Sequence, residues 1–216
     1  MKKIYLSPSE QPDNRYAYGN TNEKAVCCEI AAYAEAALKR NGFEVITGTS
    51  TSLGARCSEA DKWGADLYIP IHTNAYNGKV SGTRMFCYRL LGEGYKAAKA
   101  IYNVLAPITP GKSENITANR GLYEVKTPKA PTVYIEVDFH DVPDVAKWII
   151  DHTEEIGEAI CKGVCNHYGV TYKVKPKQET GKLYRVQVGA YSEKANAEAM
   201  LAKLKKAGFD GFIKEE

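Results

Sequence analysis

Residues 67–71 read Leu-Tyr-Ile-Pro-Ile, an apolar run with no polar alternation. A strand of that kind has no face to offer water and must be covered on both sides, like the inner strands of parallel sheets. Residues 132–137, Thr-Val-Tyr-Ile-Glu-Val, form a second such segment, rich in β-branched side chains. Helical spacing surrounds them. Val26, Ile30, Ala34 and Leu38 recur on one face before the stop signal Asn41-Gly42, and Tyr95, Ala98, Ile101, Tyr102 and Leu105 make another face. Val145, Trp148, Ile149, Ile156, Ile160 and Val164 predict one long helix over residues 145–167. Shorter strands at residues 3–6, 43–46 and 83–88 and a short helix at 56–63 complete the alternation. Strands alternating with helices specify an α/β sheet flanked by helices on both faces.

The pattern stops at residues 172–182, where Lys, Pro, Gln and Gly replace apolar periodicity, and restarts beyond them. Tyr184, Val186 and Val188 alternate as a strand. Ala197, Met200, Leu201 and Leu204 mark a helix capped by Ser192 and ended by Gly208, and residues 209–213 supply another strand. The expected organisation is a main domain at 1–171, a linker at 172–182 and a small βαβ unit at 183–216. The 216 residues suffice for one well-packed domain and an appendage. Two strands alone expose most of their edges, so a homodimer through residues 183–216 is expected.

A net charge of +3 is too mild for a nucleic-acid binder. No apolar run is long enough for a transmembrane segment. The first residues, Met-Lys-Lys-Ile-Tyr-Leu-Ser-Pro, lack the apolar core of a secretory signal. The expected route is synthesis in the cytosol and release by lysis or a non-standard path. None of the six cysteines forms a CxxC pair, which favours free core thiols over disulfides or a zinc ribbon.

Ligands of open α/β sheets bind beyond the carboxyl ends of the strands. The polar residues at those ends are Ser9, Glu10, Gln11, Glu23, His72, Thr73, Asn74, Glu136, Asp138, His140 and Asp141. Histidines and carboxylates drawn from separate strands are what a catalytic zinc ion requires. Plainer roles compete. Glu23 suits the first turn of a helix, His72 could be a hydrogen-bonded strand-end residue, and Asn74 could either meet substrate or form a turn. His152 and His167 read as structural. Glu136 resists a plain reading, because a carboxylate inside an apolar strand is costly without a partner.

Several of these residues stand in motifs. Asn22-Glu23 opens a helix, Arg56 and Ala65-Asp66-Leu67 precede Ile71-His72-Thr73-Asn74, and Pro131-Thr-Val-Tyr-Ile-Glu136 is followed by Phe139. In this order the set resembles the zinc-dependent N-acetylmuramoyl-L-alanine amidases of the amidase-3 family, hydrolases of bacterial cell-wall peptidoglycan. The resemblance covers residues 3–168 and implies a mixed sheet flanked by helices. It gives Glu23 and His72 the role of zinc ligands, Glu136 that of catalytic acid/base, and Arg120 a substrate-side position beside Asn74. The family's first zinc histidine falls at Glu10, where this chain has Pro8-Ser9-Glu10-Gln11-Pro12. Two replacements are open, Glu10 itself or His140, which shares a strand face with Glu136 four residues earlier; His140 is the preferred third ligand. Leu-Tyr-Arg-Val-Gln-Val-Gly-Ala-Tyr at 183–191, with the helix that follows, resembles half of a SPOR domain, a peptidoglycan-binding module. The reading is thus a peptidoglycan amidase, a lysin or autolysin acting on the cell wall. Its rivals are a zinc peptidase cutting the stem peptide and a wall-binding protein on a metal-free fold.

Overall fold

Six strands form a single mixed sheet in the order β2-β1-β3-β6-β4-β5. They are β1 (Lys3–Pro8), β2 (Glu44–Thr47), β3 (Leu67–Asn74), β4 (Arg84–Cys87), β5 (Asn115–Ala118) and β6 (Tyr134–Phe139). The first four in that order run parallel; β4 turns back against β6, and β5 follows β4. The two segments that most constrain the sequence, β3 and β6, lie side by side at the centre. The computed structural model describes residues 1–112, 115–176 and 186–215, in two compact units, Met1–Lys175 and Pro176–Glu216.

One face of the sheet is wholly aliphatic. Ile4 and Leu6, Leu67, Ile69 and Ile71, Ile135 and Val137, and Met85 join one core with the helices laid over them. Those helices are α1 (Glu23–Arg40), α3 (Gly92–Leu105), α5 (Pro143–Asp151) and α6 (Thr153–Tyr168). The Asn22 side chain caps α1 by accepting from Ala25 N at 2.9 Å. Close helix contact depends on two glycines of α6: a Cβ at Gly157 would lie 2.7 Å from Ala34 N, and one at Gly163 would lie 2.4 Å from Ile101 Cα. The opposite face is lightly covered, by α2 (Leu53–Trp63) and the short α4 (Tyr123–Lys126). Its core is small: Tyr5, Cys57, Ala60 and Tyr68, with the two tyrosine rings stacked at 5.1 Å.

Three elements differ from the sequence reading. The long helix of residues 145–167 is two helices, broken at His152, whose ring donates to Trp148 O at 2.7 Å and stacks on the Trp148 indole. Strand β5 is a short edge strand, Asn-Ile-Thr-Ala, whose four residues alternate polar and apolar but are too few to stand out from the surrounding polar loop. Helix α4 has only four residues, too few to show a period. The expected linker straddles the boundary between the units. Tyr172 Oη donates to Glu158 and Lys173 N to Asn41 Oδ1 within the first unit, whereas residues 177–182 lie outside the described residues.

Of the βαβ unit expected at 183–216, the helix is present as α7 (Lys194–Lys206), with Glu193 rather than Ser192 at its N-cap and no side-chain cap bond. Residues 186–190 and 209–213 pair with no strand among the described residues, and residues 183–185 lie outside them. The apolar side chains that would have packed there are open to solvent, Val186 at 89% and Phe212 at 80%. Two short strands lack the ladder partners and apolar face that hold a sheet together in water.

Candidate functional site

The lightly covered face carries the charged groups. Register across the sheet sets His72 of β3 opposite Glu136 of β6, and Glu136 opposite Arg84 of β4. The result is a row of imidazole, carboxylate and guanidinium on one face. Tyr134, two residues before Glu136, stacks on His72 at 4.6 Å. Arg84, which the sequence reading passed over, lies above the Phe139 ring; only the register of β4 on β6 brings it beside Glu136.

Glu23 reaches this row from the first turn of α1. It is buried, 1% exposed. One of its oxygens lies 2.8 Å from His72 Nδ1 and the other accepts from Asn14 Nδ2 at 2.6 Å. Burial opposes its ionisation, but the hydrogen bonds from His72 and Asn14 outweigh this and hold its carboxyl below the usual range. A first-turn acid serving only the helix dipole would face water, so the plainer reading of Glu23 falls.

The other nitrogen of His72 faces a second buried acid, Glu124 of α4, with Nε2 3.9 Å from Glu124 Oε2. Glu124 was absent from the sequence reading. Its only signal was a carboxylate among Leu122, Tyr123 and Val125, in a segment too short to place. Ser7 Oγ and Tyr68 Oη both donate to Glu124 Oε1, each at 2.6 Å. Burial of the His72 ring favours its neutral form, yet Glu124 and Glu23 on its two sides push its pKa up to about 9. For Glu136 burial prevails over the attraction of His72 and Arg84, and its pKa is pushed up to about 8.

The remaining expected residues are placed as follows. Glu10 spends its oxygens on two cations, Arg56 Nη2 and Lys24 Nζ, each at 2.7 Å. The fully buried Arg56 also binds Ser7 Oγ, Pro8 O and Ser50 O, and so clamps the loop after β1. His140 is buried, with Nδ1 held by Thr73 Oγ1 and O and its ring stacked on Tyr16 at 4.9 Å. Asn74 Oδ1 accepts from Ala75 N at 2.9 Å, as a turn residue does. Asp141 Oδ2 receives Tyr76 N and Gly78 N, and Asp138 Oδ1 receives Gly82 N, so both acids tie down the loop beyond β3. Arg120 lies on the exposed Tyr88 ring near the end of β5, and no contact joins it to the His72 row.

Four buried polar atoms of this region have no hydrogen-bond partner among the described residues: Ser9 Oγ, His72 Nε2, Arg84 Nε and Glu136 Oε2. Three acids, Glu23, Glu124 and Glu136, surround one imidazole. The donors are nitrogen and carboxylate oxygen, which zinc accepts. Among the described residues, however, no three His, Cys, Asp or Glu side chains form a ready-made cage, because His72 lies between Glu23 and Glu124.

Comparison with known proteins gives a concordant picture. A family profile described as N-acetylmuramoyl-L-alanine amidase matches residues 4–166, and a SPOR domain profile matches residues 166–215. The sporulation-specific N-acetylmuramoyl-L-alanine amidase of Bacillus subtilis (strain 168) is 26% identical over 223 residues, covering 99% of this chain and 84% of that protein. The N-acetylmuramoyl-L-alanine amidase CwlM of Bacillus licheniformis is 25% identical over 222 residues, covering 99% and 85%. The catalytic domain of CwlV from Bacillus (Paenibacillus) polymyxa var. colistinus superposes with a TM-score of 0.72 at 19% identity, over 79% of this chain and all of that one. The CwlD amidase of Clostridioides difficile superposes at 0.68 and 20%, over 78% and 99%.

Proposed function

The chain belongs to the N-acetylmuramoyl-L-alanine amidase family, and from that premise we propose how its own residues perform a zinc-dependent cleavage. It is a peptidoglycan hydrolase, acting on the amide between the lactyl group of N-acetylmuramic acid and L-alanine. The SPOR region serves binding to the cell wall and raises the local concentration of substrate by tethering. No helix among the described residues is long and apolar enough to cross a membrane.

The observation that carries the mechanism is the orphaned Glu136 Oε2, on the strand beside His72, whose Nδ1 lies against the buried carboxylate of Glu23. In this reading Glu23 and His72 hold the ion. A catalytic zinc takes three protein ligands, and His140, on the adjoining strand end, remains the sequence's candidate for the third. Glu10 is a poor one, since Arg56 and Lys24 already neutralise it. Zinc bound here supplies a Lewis acid for the amide carbonyl.

Glu136 moves the protons. A carboxyl whose pKa stands at about 8 is poised near neutrality, where it can both take and return a proton. It takes one from water as the water oxygen bonds to the carbonyl carbon, then gives it to the alanine nitrogen as the carbon–nitrogen bond breaks. Arg84 and His72, on its two sides, favour the carboxylate form that starts the cycle. Asn74 and Arg120 are proposed contacts of the flanking glycan or peptide.

The test is metal content together with end-group analysis. Purified protein should carry about one zinc per chain, release amino groups of L-alanine from peptidoglycan, and stop when the metal is chelated. Undiminished activity after exhaustive chelation would overturn the zinc. New amino ends from a residue within the stem peptide would make it a peptidase, and no new ends would leave a wall-binding protein. For the third ligand, His140→Ala should lower zinc content and Glu10→Ala should not.

A further inference from the structure

Arg84 and Glu136 stand opposite each other on β4 and β6, yet neither satisfies the other. Arg84 Nε and Glu136 Oε2 are both buried without a hydrogen-bond partner, and the Arg84 side chain enters no ion pair among the described residues. Its guanidinium lies over the Phe139 ring, 5.3 Å from the centroid, which steadies it and leaves its donors unused. Helix α2, on this face of the sheet, packs on Tyr5 and Tyr68 of β1 and β3. Helix α3 packs on β4 and β5 from the aliphatic side, where Met85 enters the core. Arg84 and Phe86 of β4, with Asn115 and Thr117 across from them on β5, belong to the other side, and all four are partly or fully exposed.

We infer that Arg84 is a specificity-determining residue that receives a carboxylate of the substrate's peptide, on the residue after the alanine. The proposal rests on the amidase reading above and orients the substrate within it. In that reading the amide carbonyl is held at Glu23 and His72, and the alanine nitrogen takes its proton from Glu136. His72, Glu136 and Arg84 follow one another across the sheet, on β3, β6 and β4. The nitrogen therefore stands one strand further along the row than the carbonyl, and the peptide it leads into runs on over β4 and β5. Neighbouring strands are about 4.8 Å apart, and an extended peptide advances about 3.5 Å per residue. The residue after alanine thus comes over β4, where Arg84 stands. A guanidinium is always charged and takes a carboxylate through two parallel N–H···O bonds; a carboxamide has only one acceptor oxygen and no charge. Beyond Arg84, Asn115 and Thr117 offer the peptide neutral hydrogen-bonding groups.

The test uses the full chain and two soluble N-acetylmuramoyl dipeptides. They are identical except for one carboxyl group of the residue after L-alanine, free in one and amidated in the other. The kcat/KM of the parent should favour the carboxylate by about 10- to 100-fold. Arg84→Gln should abolish that preference, and Arg84→Lys, which keeps the charge without the fork, should retain only part of it. The quantity read is a ratio of two substrates on one enzyme, so any influence of Arg84 on Glu136, or of metal content on rate, cancels. An Arg84→Gln protein that loses rate on both substrates alike and keeps the preference would overturn the proposal. If that variant fails to fold, Arg84→Lys decides: a reduced preference supports the contact and an unchanged one overturns it. Equal cleavage of both substrates by the parent removes Arg84 from recognition while the amidase reading stands. Cleavage of neither would overturn that reading and the proposal with it.

Discussion

The two faces of the sheet come from the same strands and do opposite things. Along β3, Leu67, Ile69 and Ile71 enter a continuous aliphatic core, while Tyr68 and His72 between them join a network of acids, hydroxyls and rings. Along β6, Ile135 and Val137 go one way and Tyr134 and Glu136 the other. The first face is closed by four helices. The second has two, one of them a single turn. Stability is concentrated where water is excluded by shape, and chemistry where burial forces charged groups to find each other.

The largest expected effect that tests this contrast is at Glu136. Replacing it with Gln should lower kcat by about 10²–10⁴ with the zinc retained, and near-normal turnover by a folded variant would remove Glu136 from the mechanism. The same change should stabilise the metal-free protein. In the fold the pKa of Glu136 stands at about 8 against 4.5 for the free side chain, so between those values the native state keeps a proton that the unfolded chain releases. Stability therefore falls as pH rises through that window, and Gln abolishes the loss. The gain at pH 8, on the order of a few kcal/mol, should vanish near pH 4. A variant destabilised at both would show that Glu136 serves the fold.

On the other face, Ile69→Ala should cost about 2–5 kcal/mol of stability, read as a fall in denaturation midpoint. Below that midpoint, turnover should hold within about twofold, since Ile69 faces away from the site. A large loss of kcat in a fully folded variant would mean that the two faces are coupled.

The smallest effect on the catalytic unit should come from ending the chain after Lys175. Helix α7 buries none of its residues, whereas α1 buries eight. The truncated protein should keep its melting temperature within about 2 °C and its activity on soluble wall fragments. It should bind insoluble walls more weakly. If the exposed Val186, Phe209 and Phe212 pair with a second copy, truncation should also halve the mass seen by light scattering. A full-length monomer would exclude the dimer.

The amino-acid order by itself settled the α/β class, because apolar runs such as residues 67–71 alternate with segments of helical period. It also put Glu23, His72 and Glu136 among the polar residues at the strand ends, and the resemblance to the amidases singled them out from the rest. It could not mark Glu124 or Arg84. Their meaning depends on register and on a single helical turn, and neither leaves a period to read. Nor could it show that Glu10, standing at the family's histidine position, is claimed by Arg56 and Lys24, or that Thr73 and Tyr16 hold His140. Which charges meet is decided only by packing. Coulomb attraction acts over a few ångströms of space, and residues that far apart in the fold, such as Ser7 and Glu124, stand 117 positions apart along the chain.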